Sequence, residues 1–253
     1  MRPFRRLSLV VALAGALALP LAAAAQQITV SGAASLTDAF KELGPKFEAT
    51  RPGATVRFNF AASGVLLQQI SQGAPVDVFA SADQETMNKA DAQKLIDAGT
   101  RRNFVTNSLV LIEPAQGGPG VKSLRDLTGP AVKKIAIGKV ETVPVGRYTK
   151  QALDAASLWA PLEPKFIQAD SVRQALDYVA RGEVDAGFVY STDAALMGDK
   201  VKVVLASATA TPVSYPAAAI AESKQKALAR DFVDFLNGDA AQQVFKRFGF
   251  GKP

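Results

Sequence analysis

Four short stretches of this 253-residue sequence put a small or hydroxyl-bearing residue where an extended segment runs into a helical one: Ser35, Ser63, Pro144-Val145-Gly146 and Ser171-Val172. The chemistry these types offer is donation. A helix N-terminus presents backbone N–H groups with no intrahelical acceptor at the positive end of the helix dipole, which suits an anion. A serine hydroxyl adds a donor without adding charge. Ala33, Ala34, Ala61, Ala62, Gly64 and Gly146 stand beside these positions and let backbone approach a ligand closely. Turns of this kind, at the carboxyl ends of strands, are where α/β sheets bind ligands. Each also has a plainer description. Serine ahead of a helix is a common N-cap, and Val145 and Val172 are ordinary first-turn residues. Tyr190, at the end of an apolar run, reads as an amphipathic core residue with its hydroxyl at the surface.

Composition narrows the alternatives. The sequence contains no histidine and no cysteine, which removes a Ser-His-Asp triad, a thiolate nucleophile, an imidazole or thiolate metal site and any disulfide. A hydrolase would have to rely on carboxylates such as Asp77 and Asp83. No Gly-x-Ser-x-Gly elbow accompanies them, and turn and cap roles account for both. The formal charge of +6 raises the question of a polyanionic partner. Residues 1–25 carry half of it. Arg2, Arg5 and Arg6 precede an apolar run over 7–21, and Ala23-Ala24-Ala25 fits small-residue cleavage, so this segment reads as a secretory signal peptide. The run is shorter than the roughly 20 residues of a membrane span. Cleavage after Ala25 removes three arginines and no acid, lowering the charge from +6 to +3. The remaining basic residues gather only in pairs such as Arg101-Arg102 and Lys133-Lys134, so no nucleic-acid or membrane-surface partner is expected. Without cysteine there is also no leader residue for lipid attachment.

The elements that must position the four turns follow from periodicity. Extended segments are read over 28–30, 56–60, 76–80, 108–112, 135–137, 186–190, 201–205 and 217–220. Phe166-Ile167 leads into the Ser171 turn. Helical spacing begins at Ser35 with Leu36, Ala39, Phe40, Leu43 and Phe47, and recurs at Leu66, Leu67 and Ile70. It is read again after Asp83 and over 145–158, 172–179, 226–237 and 239–248. Ser35-Leu36-Thr37-Asp38 has capping-box spacing, and Gly44-Pro45 is expected to kink or shorten its helix. Regular alternation of strand and helix predicts an α/β protein with mainly parallel sheets.

A family resemblance extends the reading. Its segments are Ala33-Ala34-Ser35-Leu36-Thr37-Asp38-Ala39, Phe60-Ala61-Ala62-Ser63, and Gly73-Ala74-Pro75-Val76-Asp77-Val78-Phe79-Ala80-Ser81-Ala82-Asp83. Asn107-Ser108-Leu109-Val110, Val143-Pro144-Val145-Gly146-Arg147-Tyr148, Ser171-Val172-Arg173, Gly187-Phe188-Val189-Tyr190 and Phe245-Lys246-Arg247-Phe248-Gly249-Phe250 continue the series. In order along residues 28–253, these resemble the periplasmic molybdate-binding proteins that feed ABC transporters. The resemblance implies a two-lobed, type II-like periplasmic binding protein fold, each lobe a mainly parallel sheet flanked by helices. Lobe one would comprise 26–106 and 211–253 and lobe two 107–210, with hinge crossings near Thr106 and Thr211.

It further implies an oxyanion held between the lobes without countercharge. Ser35 and Ser63 would each donate a hydroxyl and a backbone N–H, Val145 and Val172 backbone N–H groups, and Tyr190 its phenol. Molybdenum would be held through its oxo groups, with no direct protein ligand, no cofactor and no catalysis. The family commonly has Ala where Val145 stands, so pocket width can differ while the backbone contact survives. Gly44-Pro45 is a second departure, away from the contacts. Donors alone suit molybdate or tungstate; hydrogen phosphate also wants an acceptor, and Asp170, which could supply one, is not a contact on the family pattern. Receptors for sulfate, a ferric ion or an organic anion are the alternatives. The implied partners are a membrane permease and its ATPase subunits, met by a periplasmic monomer without a lipid anchor.

Overall fold

The computed structural model describes residues 26–253; the leader read over 1–25 lies outside them. The chain begins with β1 (Gln26–Ala33), α1 (Thr37–Thr50), β2 (Ala54–Ala61), α2 (Ser63–Ser71), β3 (Val78–Ala80), α3 (Gln84–Ala92) and β4 (Arg102–Asn107). It continues through β5 (Leu109–Pro114), β6 (Ile135–Gly138), α4 (Pro144–Ala155), α5 (Trp159–Leu162), β7 (Phe166–Ala169) and α6 (Val172–Ala180). Then come β8 (Ala186–Tyr190), α7 (Ser191–Leu196), β9 (Val201–Ser207), β10 (Val213–Ala219), α8 (Lys226–Leu236) and α9 (Asp239–Arg247). Two five-stranded sheets result, in the orders β2-β1-β3-β10-β4 and β7-β6-β8-β5-β9. The chain leaves the first sheet at Ser108 and returns to it over residues 208–212.

Both sheets are mixed. The strands joined through helices pair in parallel, β1 with β2 and β3, and β6 with β7 and β8. The four strands flanking the two passages, β4, β5, β9 and β10, pair antiparallel. The parallel character expected of the sheets is therefore confined to three strands in each.

Register positions the turns. Ala33 lies opposite Ala61 in the β1–β2 pair, so the chain leaves the two strands at the same level for the Ser35 and Ser63 turns. In the second sheet Gly138 lies opposite Ala169, which aligns the exits toward α4 and α6 in the same way. The core beneath the first sheet is aromatic. Phe40 and Phe47 of α1 meet Phe232 of α8 at ring-centroid distances of 6.0 and 5.1 Å, both edge-on, an arrangement that adds to their burial.

The shortening expected at Gly44-Pro45 does not occur, and α1 runs through Pro45 to Thr50. Pro45 removes an N–H that would bond the Lys41 carbonyl. Both residues are exposed, so water can satisfy that carbonyl, while Phe40, Leu43 and Phe47 bury the opposite stripe and hold the helix. Nor does Ser35 cap α1. A 3-10 turn (Ala34–Leu36) intervenes, and α1 has no side-chain cap.

Candidate anion-binding site

Ser35, Ser63, Val145, Val172 and Tyr190, the five residues singled out from the sequence, line one small cavity, with Ala33, Ala34, Ala62, Ala82, Val143 and Pro144 between them. All five are buried. None of the lining residues carries a charged side chain. Ser63 opens α2, Val145 lies in the first turn of α4 behind Pro144, and Val172 opens α6. Their N–H groups therefore belong to the set that helices leave without internal acceptors. The Ser63 hydroxyl accepts the Ala82 N–H at 3.0 Å, and the Ser35 hydroxyl meets the Tyr215 hydroxyl at 3.0 Å. The Tyr190 hydroxyl is buried with no hydrogen-bond partner among the described residues. Burial raises its pKa well above the ordinary phenol value, so it is a donor at any neutral pH.

Two glycines permit the close approaches. A Cβ on Gly146 would stand 2.0 Å from the Gly138 carbonyl oxygen, so only glycine lets α4 start against the end of β6. Gly64 donates its N–H to the Thr142 carbonyl at 2.9 Å, and a Cβ there would lie 2.6 Å from the same oxygen. That bond joins the start of α2 to the segment before α4, and so one sheet's turns to the other's.

The remaining sequence candidates take structural places. Ser171 caps α6, accepting the Gln174 N–H at 3.2 Å. Asp170 is exposed and pairs with Lys139, outside the cavity. Asp77 accepts the Thr29 N–H and the Ser223 hydroxyl, at 2.8 and 2.6 Å. Asp83 caps α3.

The sequence profile described as bacterial extracellular solute-binding protein matches residues 28–251. The chain belongs to that family. Among its relatives, the molybdate-binding protein ModA of Escherichia coli (strain K12) is 39% identical over 229 residues, covering 88% of each chain. The solved periplasmic molybdate-binding protein of Azotobacter vinelandii aligns with a TM-score of 0.76 at 26% identity, over 89% of this chain and 99% of that one. The sulfate-binding protein SubI of Mycobacterium tuberculosis H37Rv aligns with a TM-score of 0.77 over 89% of this chain and 86% of its own, at 17% identity, a likeness of fold alone. Among the described residues of this solute-binding protein, no helix is long and apolar enough to cross a membrane.

Charge in this solute-binding protein stands behind the cavity, on side chains that join the two sheets' helices. Arg147 of α4 reaches Asp83 at the head of α3, Nε to Oδ2 at 2.8 Å, and Thr86 Oγ1 at 2.7 Å. Arg173 of α6 reaches Asp38 of α1 at 2.8 Å and Asp193 of α7 at 2.5 Å. These arginines follow Val145 by two residues and Val172 by one, and that spacing is their only local signal in the sequence.

Asp193 has a consequence for pH. Burial outweighs the adjacent Arg173 guanidinium and pushes its carboxyl up from 3.8 to about 6. A folded-state value above the unfolded one means that the folded protein holds the extra proton in this window. Stability from this group therefore falls as pH rises from about 4 to about 6. Asp193→Asn, neutral throughout, should gain stability relative to wild type across the same interval. Thermal melts near pH 4.5 and pH 7 check this, and a constant difference would mean that Arg173 keeps the carboxylate ionised at both.

Proposed function

We propose that this protein captures molybdate, and tungstate with it, and delivers the anion to the permease and ATPase subunits of an ABC importer. Ser35, Ser63, Val145, Val172 and Tyr190 hold the oxo groups; no residue ligates the metal, no cofactor takes part and no reaction is catalysed. The observation that carries the reading is the buried, unpartnered Tyr190 hydroxyl, in a cavity with no charged side chain onto which helix N-termini converge. An orphaned buried donor is costly unless a ligand satisfies it. Donors spread over N–H and O–H groups suit a fully deprotonated dianion and leave its release possible. The similarity to ModA proteins supports the choice of anion.

In this reading the lobes are 26–106 with 211–253, and 107–210, and the oxyanion is enclosed when they close. The leader directs the chain to the periplasm, where it acts as a free monomer. Molybdate at about 100 times its dissociation constant should stabilise the purified mature protein by about 2.7 kcal/mol. Tungstate should match it, and sulfate and phosphate should fall well short. Absence of any thermal shift with molybdate would overturn the proposal, and a larger shift with sulfate would reassign the anion.

A further inference from the structure

We infer that Asn107 and Tyr215, neither of which lines the cavity, orient the Ser35 hydroxyl proton toward the bound anion and so help the site prefer a fully deprotonated oxyanion. The inference rests on the anion-binding reading above. Asn107 ends β4, and a single residue, Ser108, separates it from β5 in the second sheet. Its Oδ1 accepts the Ser108 backbone N–H and the Ser191 hydroxyl, both at 2.9 Å. A backbone N–H can only donate, so this contact settles which end of the amide is oxygen. Both Nδ2 hydrogens are then committed, to Thr192 Oγ1 at 2.9 Å and to the Tyr215 phenol oxygen at 3.2 Å.

The direction of the next bond follows. Tyr215 is fully buried, and its phenol carries one proton. Its recorded hydrogen-bond partners are Asn107 and Ser35. Since Asn107 donates to it, the phenol proton must go to Ser35 Oγ, 3.0 Å away. If Ser35 donated instead, a buried phenol proton would be left without an acceptor. Ser35 therefore accepts from Tyr215 and keeps its own proton for the cavity. Ser63 is placed alike by a different donor, the Ala82 N–H. A hydrogen phosphate thus meets donors where its own proton needs an acceptor. Ser191 and Thr192 directly follow Tyr190, so the same asparagine ties the Tyr190 turn to Ser35 across the passage between the sheets.

The test is calorimetric titration of wild type, Tyr215→Phe, Ser35→Ala and the double variant with molybdate, with phosphate as competitor. Tyr215→Phe keeps the ring and removes one hydroxyl. It should weaken molybdate about tenfold, with phosphate gaining on molybdate by a similar factor. Because the effect acts through Ser35, it should vanish in the Ser35→Ala background, where single and double variants bind molybdate alike. Asn107→Asp, which accepts where the amide donates, should weaken molybdate at least as much as Tyr215→Phe. Wild-type molybdate affinity in either Tyr215→Phe or Asn107→Asp, or a Tyr215→Phe loss that persists without Ser35, would overturn the inference. Failure of wild type to bind molybdate would instead overturn the anion-binding reading itself.

Discussion

Ser63→Asp should abolish molybdate binding and leave the ligand-free protein folded. Position 63 is the first residue of α2, where a carboxylate is favoured by the helix dipole. The Ala82 N–H that the serine hydroxyl accepts at 3.0 Å would serve a carboxylate oxygen equally well. The fold therefore has somewhere to put the new charge. The anion does not. A carboxylate about 4 Å from the oxyanion costs about 4 kcal/mol for each unit of ligand charge at an effective dielectric constant near 20. The hydroxyl donor is lost as well. A dianion should bind at least a thousandfold more weakly. Calorimetry gives the affinity and circular dichroism the fold; undiminished affinity would remove Ser63 from the site.

What could be read from the sequence was local. Leu36, Ala39, Phe40, Leu43 and Phe47 recur at helical spacing, and all five are buried. The serine and valine turns were found because strand, small residues and helix start follow one another within a few positions. That the five candidates share one cavity came from the family resemblance, since each turn alone is also explained as a cap. The parts missed are those set by distant partners. β4, Arg102–Asn107, has no clean alternation, and its strand character comes from pairing with β10. The antiparallel halves of the sheets depend on passages whose partners lie far along the chain. Tyr215 meets Ser35 across 180 positions, and nothing near residue 215 in the sequence advertises it. The shortening expected at Pro45 failed for a related reason: the prolyl penalty is local, but the aromatic packing that outweighs it is tertiary.

Arg147→Met should weaken molybdate about a hundredfold while changing the stability of the ligand-free protein much less. The Arg147 and Asp83 side chains are only 10% and 5% exposed, and they belong to helices on different sheets. Removing one partner of a buried pair costs about 3–5 kcal/mol, because the other charge stays buried without compensation. Asp83 retains the Thr86 N–H and the Ser81 hydroxyl, at 3.2 Å each, which places the expected loss at the low end. Which equilibrium registers that cost is the informative part. If the lobes separate without the anion, Asp83 reaches water in the open form, and the penalty falls on closure and hence on affinity. Arg147→Lys should recover only part of the loss, since an ammonium cannot reproduce the guanidinium's fork to Asp83, Thr86 and the Val140 carbonyl. Calorimetric affinity and ligand-free melting temperature, measured on the same variants, separate the two cases. An unchanged affinity with a strongly lowered melting temperature would make the pair a constant element of one rigid body, and closure would then have to be driven by the anion's own donors alone.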